Sequence, residues 1–358
     1  MKGVMDIAGK PVGGSNPTYF IADVAANHDG VLERALELMT LAKEAGADAA
    51  KFQHFRADHI VSDKGFRELG GQQSHQATWS KSVYEVYQDA SLPWEWTKPL
   101  ADHAKAIGID FFTSPYDLEA IDFVDDFVPA YKIGSGDITW LEAIDHMASK
   151  GKPMILATGA ATLAEVENAV ATIARHSVPY SVMQCNTNYT GVIENLNHIH
   201  LSVLNTYRET FPDAVLGLSD HTHGHVTVLG AVALGARIIE KHFTDDVTKE
   251  GPDHHFSMTP LSWREMVDRT RDLEAALGSP TKDVAHNEKE TVVIQRRGLR
   301  FAREMSAGET IAAEDIVALR PATPGCITPD HLGEVLGRRL ARDVVFHDIV
   351  IADILSGR

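Results

Sequence analysis

Residues 41–53 read LAKEAGADAAKFQ, and the three parts of that stretch decide the fold. An amphipathic segment runs up to Gly46, a residue that closes a helix in the left-handed conformation without strain. A short apolar run follows and ends in polar side chains, the length of a buried strand. The same order returns in ADHAKAIGIDFFTS (101–114), DHMASKGKPMILAT (145–158) and AVALGARIIEKH (231–242), with Gly108, Gly151 and Gly235 in the capping place. Helix, glycine and strand in repetition predict right-handed βαβ units and a parallel sheet. Strand candidates are YFIADVAAN from Tyr19, AAKFQHF from Ala49, IDFFTSP from Ile109, AYKIGSGD from Ala130, PMILATG from Pro153, YSVMQCN from Tyr180, AVLGLSD from Ala214 and RIIEKHF from Arg237. Helical stretches fall between them. One opens on a capping box at Thr162-Leu-Ala-Glu165, and another runs from Leu261 to Leu277 behind Pro260. Eight strand–helix pairs in about 260 residues predict a (β/α)8 TIM barrel over residues 1–281. A doubly wound open sheet is the alternative, weakened because no GxGxxG follows the first strand.

From Lys282 the pattern changes. Residues 282–292, with KDVAHNEKET, read as a polar linker, and residues 293–358 as a separate β-rich module with turns and brief helices. At about 65 residues that module is small for a self-sufficient core and is expected to dock on something. The whole chain of 358 residues, 44% hydrophobic and 23% charged, has the composition of a soluble globular protein. No run approaches the length of a membrane span, and the first twenty residues lack the apolar stretch of a signal peptide, so a cytoplasmic protein is expected. Two cysteines, Cys185 and Cys326, fit a reducing compartment. The net charge of −17 argues against a nucleic-acid partner. Residues 291–358 carry nine Arg, no Lys and nine acids, so the barrel segment holds the entire negative charge. An anionic substrate bound there needs a local cluster of cations or a metal.

Active sites of such barrels form at the C-terminal ends of the strands. Polar residues gather at all eight: Asp23, Asn27 and His28; Lys51 and Gln53; Thr113 and Ser114; Lys132, Ser135 and Asp137; Thr158; Gln184, Asn186, Asn188 and Tyr189; Ser219, Asp220 and His221; Glu240, Lys241 and His242. His221 and His242 end adjacent strands and would project into one mouth, as divalent-metal ligands often do. Two imidazoles with open remaining positions suit Mn, Mg, Co or Zn holding a substrate or water. His223 and His225 are expected to face solvent or cap the next helix, while His254 and His255 lie in a loop, GPDHHFS, able to fold over the mouth. Lys51 and Lys132 sit within apolar strands, where a lysine is costly to bury without an anion. Three readings stay open for them: an internal salt bridge, a Schiff base, or a phosphate or carboxylate clamp completed by Ser114, Ser135 and Ser219.

The stretches FIADVAANHDG, AGADAAKFQ, PAYKIGSGDIT, GKPMILATGAATLAEVENAV, LGLSDHT and ALGARIIEKHFT, with GPDHHFSMTP after them, resemble the sialic acid synthases. The C-terminal RRGLRFAREMSAGETIAAEDIVALRP and LGRRLARDV look like the antifreeze-like (SAF, β-clip) domain of that family. The resemblance implies a cytoplasmic transferase that condenses phosphoenolpyruvate with an N-acylated hexosamine to give a nonulosonic acid and phosphate. It implies a divalent metal, manganese or else magnesium or cobalt, on His221 and His242. It places phosphoenolpyruvate on Lys51, Ser114, Lys132, Ser135, Ser219 and the CNTNY segment with Asn186 and Asn188, and it puts Asn27 among the substrate contacts. Asp23, Gln53, Asp137 and Tyr189 then surround the sugar and the reacting centre. Arg320 would reach the acylamino group from the small domain of a partner subunit, in a domain-swapped homodimer. Asp23 and Asp137 stand where the family usually has Glu, and CNTNYTG lacks the prolines common after the Tyr.

That chemistry makes physical demands. The charges of phosphoenolpyruvate need neutralising, the acceptor's aldehyde oxygen needs a Lewis acid, and the water that adds at the enol carbon needs a carboxylate such as Asp23 or Asp137. A metal-dependent aldolase or hydrolase on the same barrel is the alternative, and a sugar- or ice-binding protein without catalysis a third reading. The acceptor is open among N-acetylmannosamine, a diacetamido-trideoxyhexose and other acylamino sugars.

Overall fold

A computed structural model describes residues 3–70, 76–77 and 79–356. The chain divides into two compact units, Met1–Gly278 and Ser279–Arg358.

In the first unit eight parallel strands form a nearly closed barrel: β3 (Tyr19–Asp23), β4 (Ala49–His54), β5 (Asp110–Pro115), β6 (Tyr131–Ile133), β7 (Met154–Ala157), β8 (Tyr180–Cys185), β9 (Val215–Asp220) and β10 (Ile238–His242). The hydrogen-bonded order is β5-β4-β3-β10-β9-β8-β7-β6, and β5 and β6 lie side by side to complete the ring. First and last strands pair in parallel, with His242 opposite Asp23. The four capping glycines all take positive φ, from 72° at Gly108 to 97° at Gly46. The capping box forms as read, with the Thr162 backbone N–H donating to Glu165 Oε2 at 2.7 Å.

Strand alternation assigns each residue a face. Phe20, Ala22, Ala50, Phe52, Leu156, Val182, Leu218 and Ile239 point outward and pack under the helices. Tyr19, Ile21, Ala49, Phe112, Ala130, Ile155, Met183, Val215 and Ile238 point inward and fill the N-terminal half of the barrel. That floor is finished by a hairpin the sequence reading did not identify, β1 (Val4–Ile7) and β2 (Lys10–Gly13), whose Met5, Ile7 and Val12 join the same cluster. Its two-residue turn, Ala8-Gly9, has φ of 52° and 79°, as the twist of a tight hairpin requires. The barrel is thus plugged below and open above.

Two of the polar strand-end residues belong to the outer layer. Lys241 donates to Asp220 and to the Thr222 carbonyl, and Thr222 and Thr227 donate to the same carboxylate. Both charged side chains are 1% exposed. This buried pair clamps β9 to β10 and to the start of the helix Val226–Ala233.

The second unit pairs β11 (Gly298–Phe301) with β12 (Ile316–Leu319) and β13 (Arg339–Leu340) with β14 (Leu355–Ser356). It has its own core, built on Leu299, Phe301, Met305, Ile311, Val335, Leu340, Val344, Val350 and Ile354. The stretch expected as a linker is partly ordered structure: a turn at His286–Glu288 leads into a helix, Lys289–Gln295. Among the described residues no helix is long and apolar enough to cross a membrane.

Removing Lys241 leaves the Asp220 charge buried without its cation. Lys241→Ala is therefore expected to destabilise the barrel by about 3–5 kcal/mol. Urea denaturation measures this, and an unchanged midpoint would show that the pair does not hold the strands.

Candidate active site

The open end of the barrel is a cavity of about 880 Å³, counting its mouth, into which alternate residues of the strands project. Asp23, Lys51, Gln53, Lys132, Cys185, Ser219, His221, Glu240 and His242 line it, with Ser135 and Tyr189 from the loops after β6 and β8.

At its base lies a four-charge cluster. Lys51 Nζ is 2.7 Å from Asp23 Oδ2 and 3.3 Å from Glu240 Oε1, while Lys132 Nζ is 3.0 Å from the same Glu240 oxygen. Ser219 donates to that oxygen at 3.2 Å. Burial works to raise Glu240, but Lys132 and Lys51 overcome it and hold the carboxyl at about 2. Burial lowers Lys51 less than Asp23 and Glu240 raise it, so it stays charged; for Lys132 burial wins and its pKa falls. Asp23 is pushed up by burial against the pull of Lys51. Of the three readings open for the lysines, the internal salt bridge is present in the structure.

Above the cluster the rings of His221 and His242 lie 5.4 Å apart, packed by Tyr189 at 4.1 Å from His221 and by Phe256 at 4.9 Å from His242. Burial first, and then each other's or the lysines' charge, brings both imidazoles down to about 3, so both are neutral with a lone pair to offer. His221 Nδ1 is held by the Asn186 carbonyl at 2.8 Å, which leaves Nε2 for a ligand. His242 Nδ1, Glu240 Oε2 and Ser114 Oγ are buried without a hydrogen-bond partner, three polar groups that a bound molecule would satisfy. Among the described residues no three His, Cys, Asp or Glu side chains converge as a ready cation cage. Two neutral imidazoles therefore fit a divalent cation whose remaining positions are filled by substrate and water.

The other sequence candidates divide. Asn27 is fully buried and donates to the Phe243 carbonyl and to Ser257, tying the loop after β3 to that after β10. Asn186 bonds the His198 carbonyl and the Asn188 backbone, and Asn188 accepts from the Thr190 backbone, so these side chains shape the loop after β8. Ser135 accepts from the Gly159 backbone at 2.9 Å. Asp137, on the turn after β6, is raised by burial to about 6. His223 and His255 are exposed, whereas His254 is fully buried between Thr244 and Asp29 and staples the loop after β10. Arg320 lies just past β12 in the second unit and is exposed.

Asp253, Tyr116 and residues of the helix Val83–Ala90 also line the cavity and are not among the sequence candidates. Tyr116 was signalled by its place two residues beyond Ser114 on the same strand face. Asp253 had only its loop to recommend it, yet it lines the cavity and its carboxyl is pushed up by burial to about 7.

A barrel closed below, with imidazoles and buried lysines gathered at the open ends of its strands, is built as barrel enzymes are. The chain belongs to the NeuB family, whose model matches residues 38–282, and the SAF domain model matches residues 296–353. It is 36% identical over 341 residues to the N,N'-diacetyllegionaminic acid synthase of Legionella pneumophila, covering 94% of each chain. It is 30% identical to the human N-acetylneuraminate-9-phosphate synthase, covering 97% of this chain and 95% of that one. The sialic acid synthetase of Leptospira borgpetersenii, solved with citrate, matches with a TM-score of 0.71 at 28% identity, over 82% of this chain and 96% of that one.

Asp253 binds its proton more readily folded than unfolded. The folded state is favoured below the ordinary carboxylate range, and that advantage is lost as pH rises through about 7. Asp253→Asn removes the loss, so its stability relative to the natural protein should improve by roughly 1–3 kcal/mol between pH 4 and pH 8. A difference that stays flat across this window in urea denaturation would rule out a carboxyl held in this way.

Proposed function

We propose that this protein condenses phosphoenolpyruvate with an N-acylated hexosamine, forming a nonulosonic acid and phosphate. The observation that carries the reading is the pairing, in one cavity, of two buried lysines with two neutral imidazoles at adjacent strand ends.

Lys51 and Lys132 supply the positive charge that phosphoenolpyruvate needs in an acidic barrel. Each pairs its ammonium with a buried carboxylate, so the cations offered to an anion are desolvated and in place. The unpartnered Ser114 hydroxyl, with Ser135 and Ser219, completes the anion's hydrogen bonds. His221 and His242 would hold a divalent cation, manganese or else magnesium or cobalt, which when bound polarises the acceptor's aldehyde oxygen as a Lewis acid. Attack of the enol carbon on that aldehyde forms the carbon–carbon bond and leaves a cationic centre. Asp23, 2.7 Å from Lys51 and 3.6 Å from His242, stands where it steadies that centre and takes a proton from the water adding there. Asp137 and Gln53 contact the sugar from the mouth, and Tyr189 backs the imidazoles. Phosphate leaves by carbon–oxygen cleavage.

Phosphate release from phosphoenolpyruvate in the presence of an acylamino hexose tests the reading. Release should require the sugar, stop on chelation and return with a divalent cation. His221→Ala should weaken cation binding, measured by calorimetry, and cut turnover at least a hundredfold (about 3 kcal/mol), while exposed His223→Ala changes it little. Full turnover in a metal-free preparation would refute the assignment.

We infer further that the enzyme is a homodimer with exchanged small domains, each offering Arg320 to its partner's mouth. Support comes from exposed apolar side chains, Val192 and Ile193 in the connection after β8 and Val226 and Leu261 in the first turns of the helices that follow β9 and β10, and from Val345 and Phe346 on the small unit. Co-expressed His221→Ala and Arg320→Ala chains, isolated as heterodimers, should regain roughly half the unmutated activity, because one of the two sites is then intact. Inactive heterodimers would place Arg320 elsewhere.

A further inference from the structure

His54 is a buried, titratable side chain that the chemistry above leaves without a part. It ends β4, and strand alternation turns it outward with Phe52 while Lys51 and Gln53 face the cavity. Its ring makes two hydrogen bonds. Nδ1 lies 2.7 Å from Thr113 Oγ1 on β5, and Nε2 lies 2.7 Å from Thr97 Oγ1, at the start of the helix Thr97–Ile107. All three side chains are fully buried. Thr97 gives its own proton to the Trp94 carbonyl at 2.7 Å, so its oxygen accepts from Nε2–H. Nδ1 is then an acceptor, and Thr113 donates to it. Trp94 and Phe123, stacked on each other at 4.7 Å, lie beside the imidazole, and burial lowers its pKa to about 4, so the ring stays uncharged.

What His54 grips on the outer face bears on the inner one. Thr113 is followed by Ser114, which pairs with Gln53 in the β4–β5 register and turns inward, its hydroxyl buried without a partner. The next pair in that register sets His54 against Pro115, which has no N–H to give the ladder. Past it the chain holds on through Tyr116, whose N–H donates to the His54 carbonyl at 3.0 Å. The end of β5 is therefore thinly held by its backbone, and the Thr113 side chain supplies a further anchor from behind. Successive side chains leave opposite faces of one pleat, so a tilt that Thr113 resists is a tilt that would swing Ser114.

We propose that His54 is a positioning residue, which through Thr113 fixes the end of β5 so that the Ser114 hydroxyl is aimed at the phosphoenolpyruvate anion. The proposal rests on the condensing function argued above. A donor held in place before the anion arrives spends nothing on reorganising when it binds, and that advantage is lost once the strand end can move.

The test separates the two bonds of the ring in the full-length protein. An Asn amide sits where Nδ1 was and can accept from Thr113 without reaching Thr97. A Gln amide reaches the Nε2 position and can donate to Thr97 while leaving Thr113 unheld. Both substitutions open space in the core and should cost similar stability in urea denaturation. His54→Gln should nevertheless raise the KM for phosphoenolpyruvate about tenfold with kcat little changed, the scale of one hydrogen bond to a charged group, while His54→Asn keeps KM near its natural value. Thr113→Val removes the hydroxyl with little change of shape and should match His54→Gln, so it carries the test if the Gln variant does not fold. Ser114→Ala should raise KM by itself, and His54→Gln should add nothing in that background. Calorimetric titration with phosphoenolpyruvate should show the same pattern in affinity without turnover. An unchanged KM in Thr113→Val, equal rises in His54→Gln and His54→Asn, or a rise undiminished when the Ser114 hydroxyl is already gone overturns the positioning role while the condensing function stands. No binding of phosphoenolpyruvate by the unmutated protein would overturn that function, and the positioning role with it.

Discussion

The Glu240 carboxylate between Lys51 and Lys132 is the contact on which the mouth of this barrel depends. Two ammonium groups buried within a few ångströms of each other could not both remain charged without it. Asp23 completes the balance on the far side of Lys51, so the base of the cavity is neutral as a whole and polar at every point. Such a cluster costs stability against an apolar filling of the same volume, and a protein that needed only a packed barrel would gain by replacing it. Its retention makes sense when an anion takes over part of what the carboxylates now do. The orphaned hydroxyl of Ser114 can donate to such an anion, whereas the orphaned second oxygen of Glu240 calls for a donor such as a water or a sugar hydroxyl.

Stability is supplied around the cluster rather than by it. Below, the N-terminal hairpin and the inward layer from Tyr19 to Ile238 form a dry floor. Outside, Lys241, which lies between Glu240 and His242 but on the opposite face of β10, forms a second buried pair with Asp220 of β9. The sequence EKH thus carries two separate jobs. Glu240 and His242 look into the cavity, while Lys241 between them fastens β10 to β9 and to the helix behind. A slip of one residue in the register would exchange the two sets, which is why the pairing of His242 with Asp23 matters to the chemistry as well as to the fold.

The barrel was legible because its signal is periodic and local: each helix, capping glycine and buried strand repeats within a dozen residues. The strand-end polar residues were legible as a group for the same reason, but not their division by face. Asp220 and Lys241 look as catalytic in sequence as Glu240 does, and only strand alternation in the folded barrel sends them outward. Asn27, Asn186 and Asn188 lie near the site in sequence and in space, and their side chains bond groups of the loops that shape it, a role the sequence does not display. The hairpin over Val4–Gly13 escaped because two four-residue strands are too short for a periodic pattern. Asp253 escaped because a carboxylate in a loop carries no period at all, and its placement depends on His254 being stapled to Asp29 and Thr244.

The charged base of the cavity and its aromatic wall come from different parts of the chain. The groups that would handle phosphoenolpyruvate and a cation come from the strands themselves, where register and alternation fix each atom and leave little room for drift. The aromatic side of the mouth comes from the longest connection of the barrel, between β4 and β5, through Phe55, Trp79 and a short capped helix. A loop can change its residues without disturbing a single strand pairing. One barrel can therefore keep the same strand ends while the wall of its mouth changes. In this chain that wall is aromatic, with Phe55 packed against the rings of both Tyr87 and Tyr116.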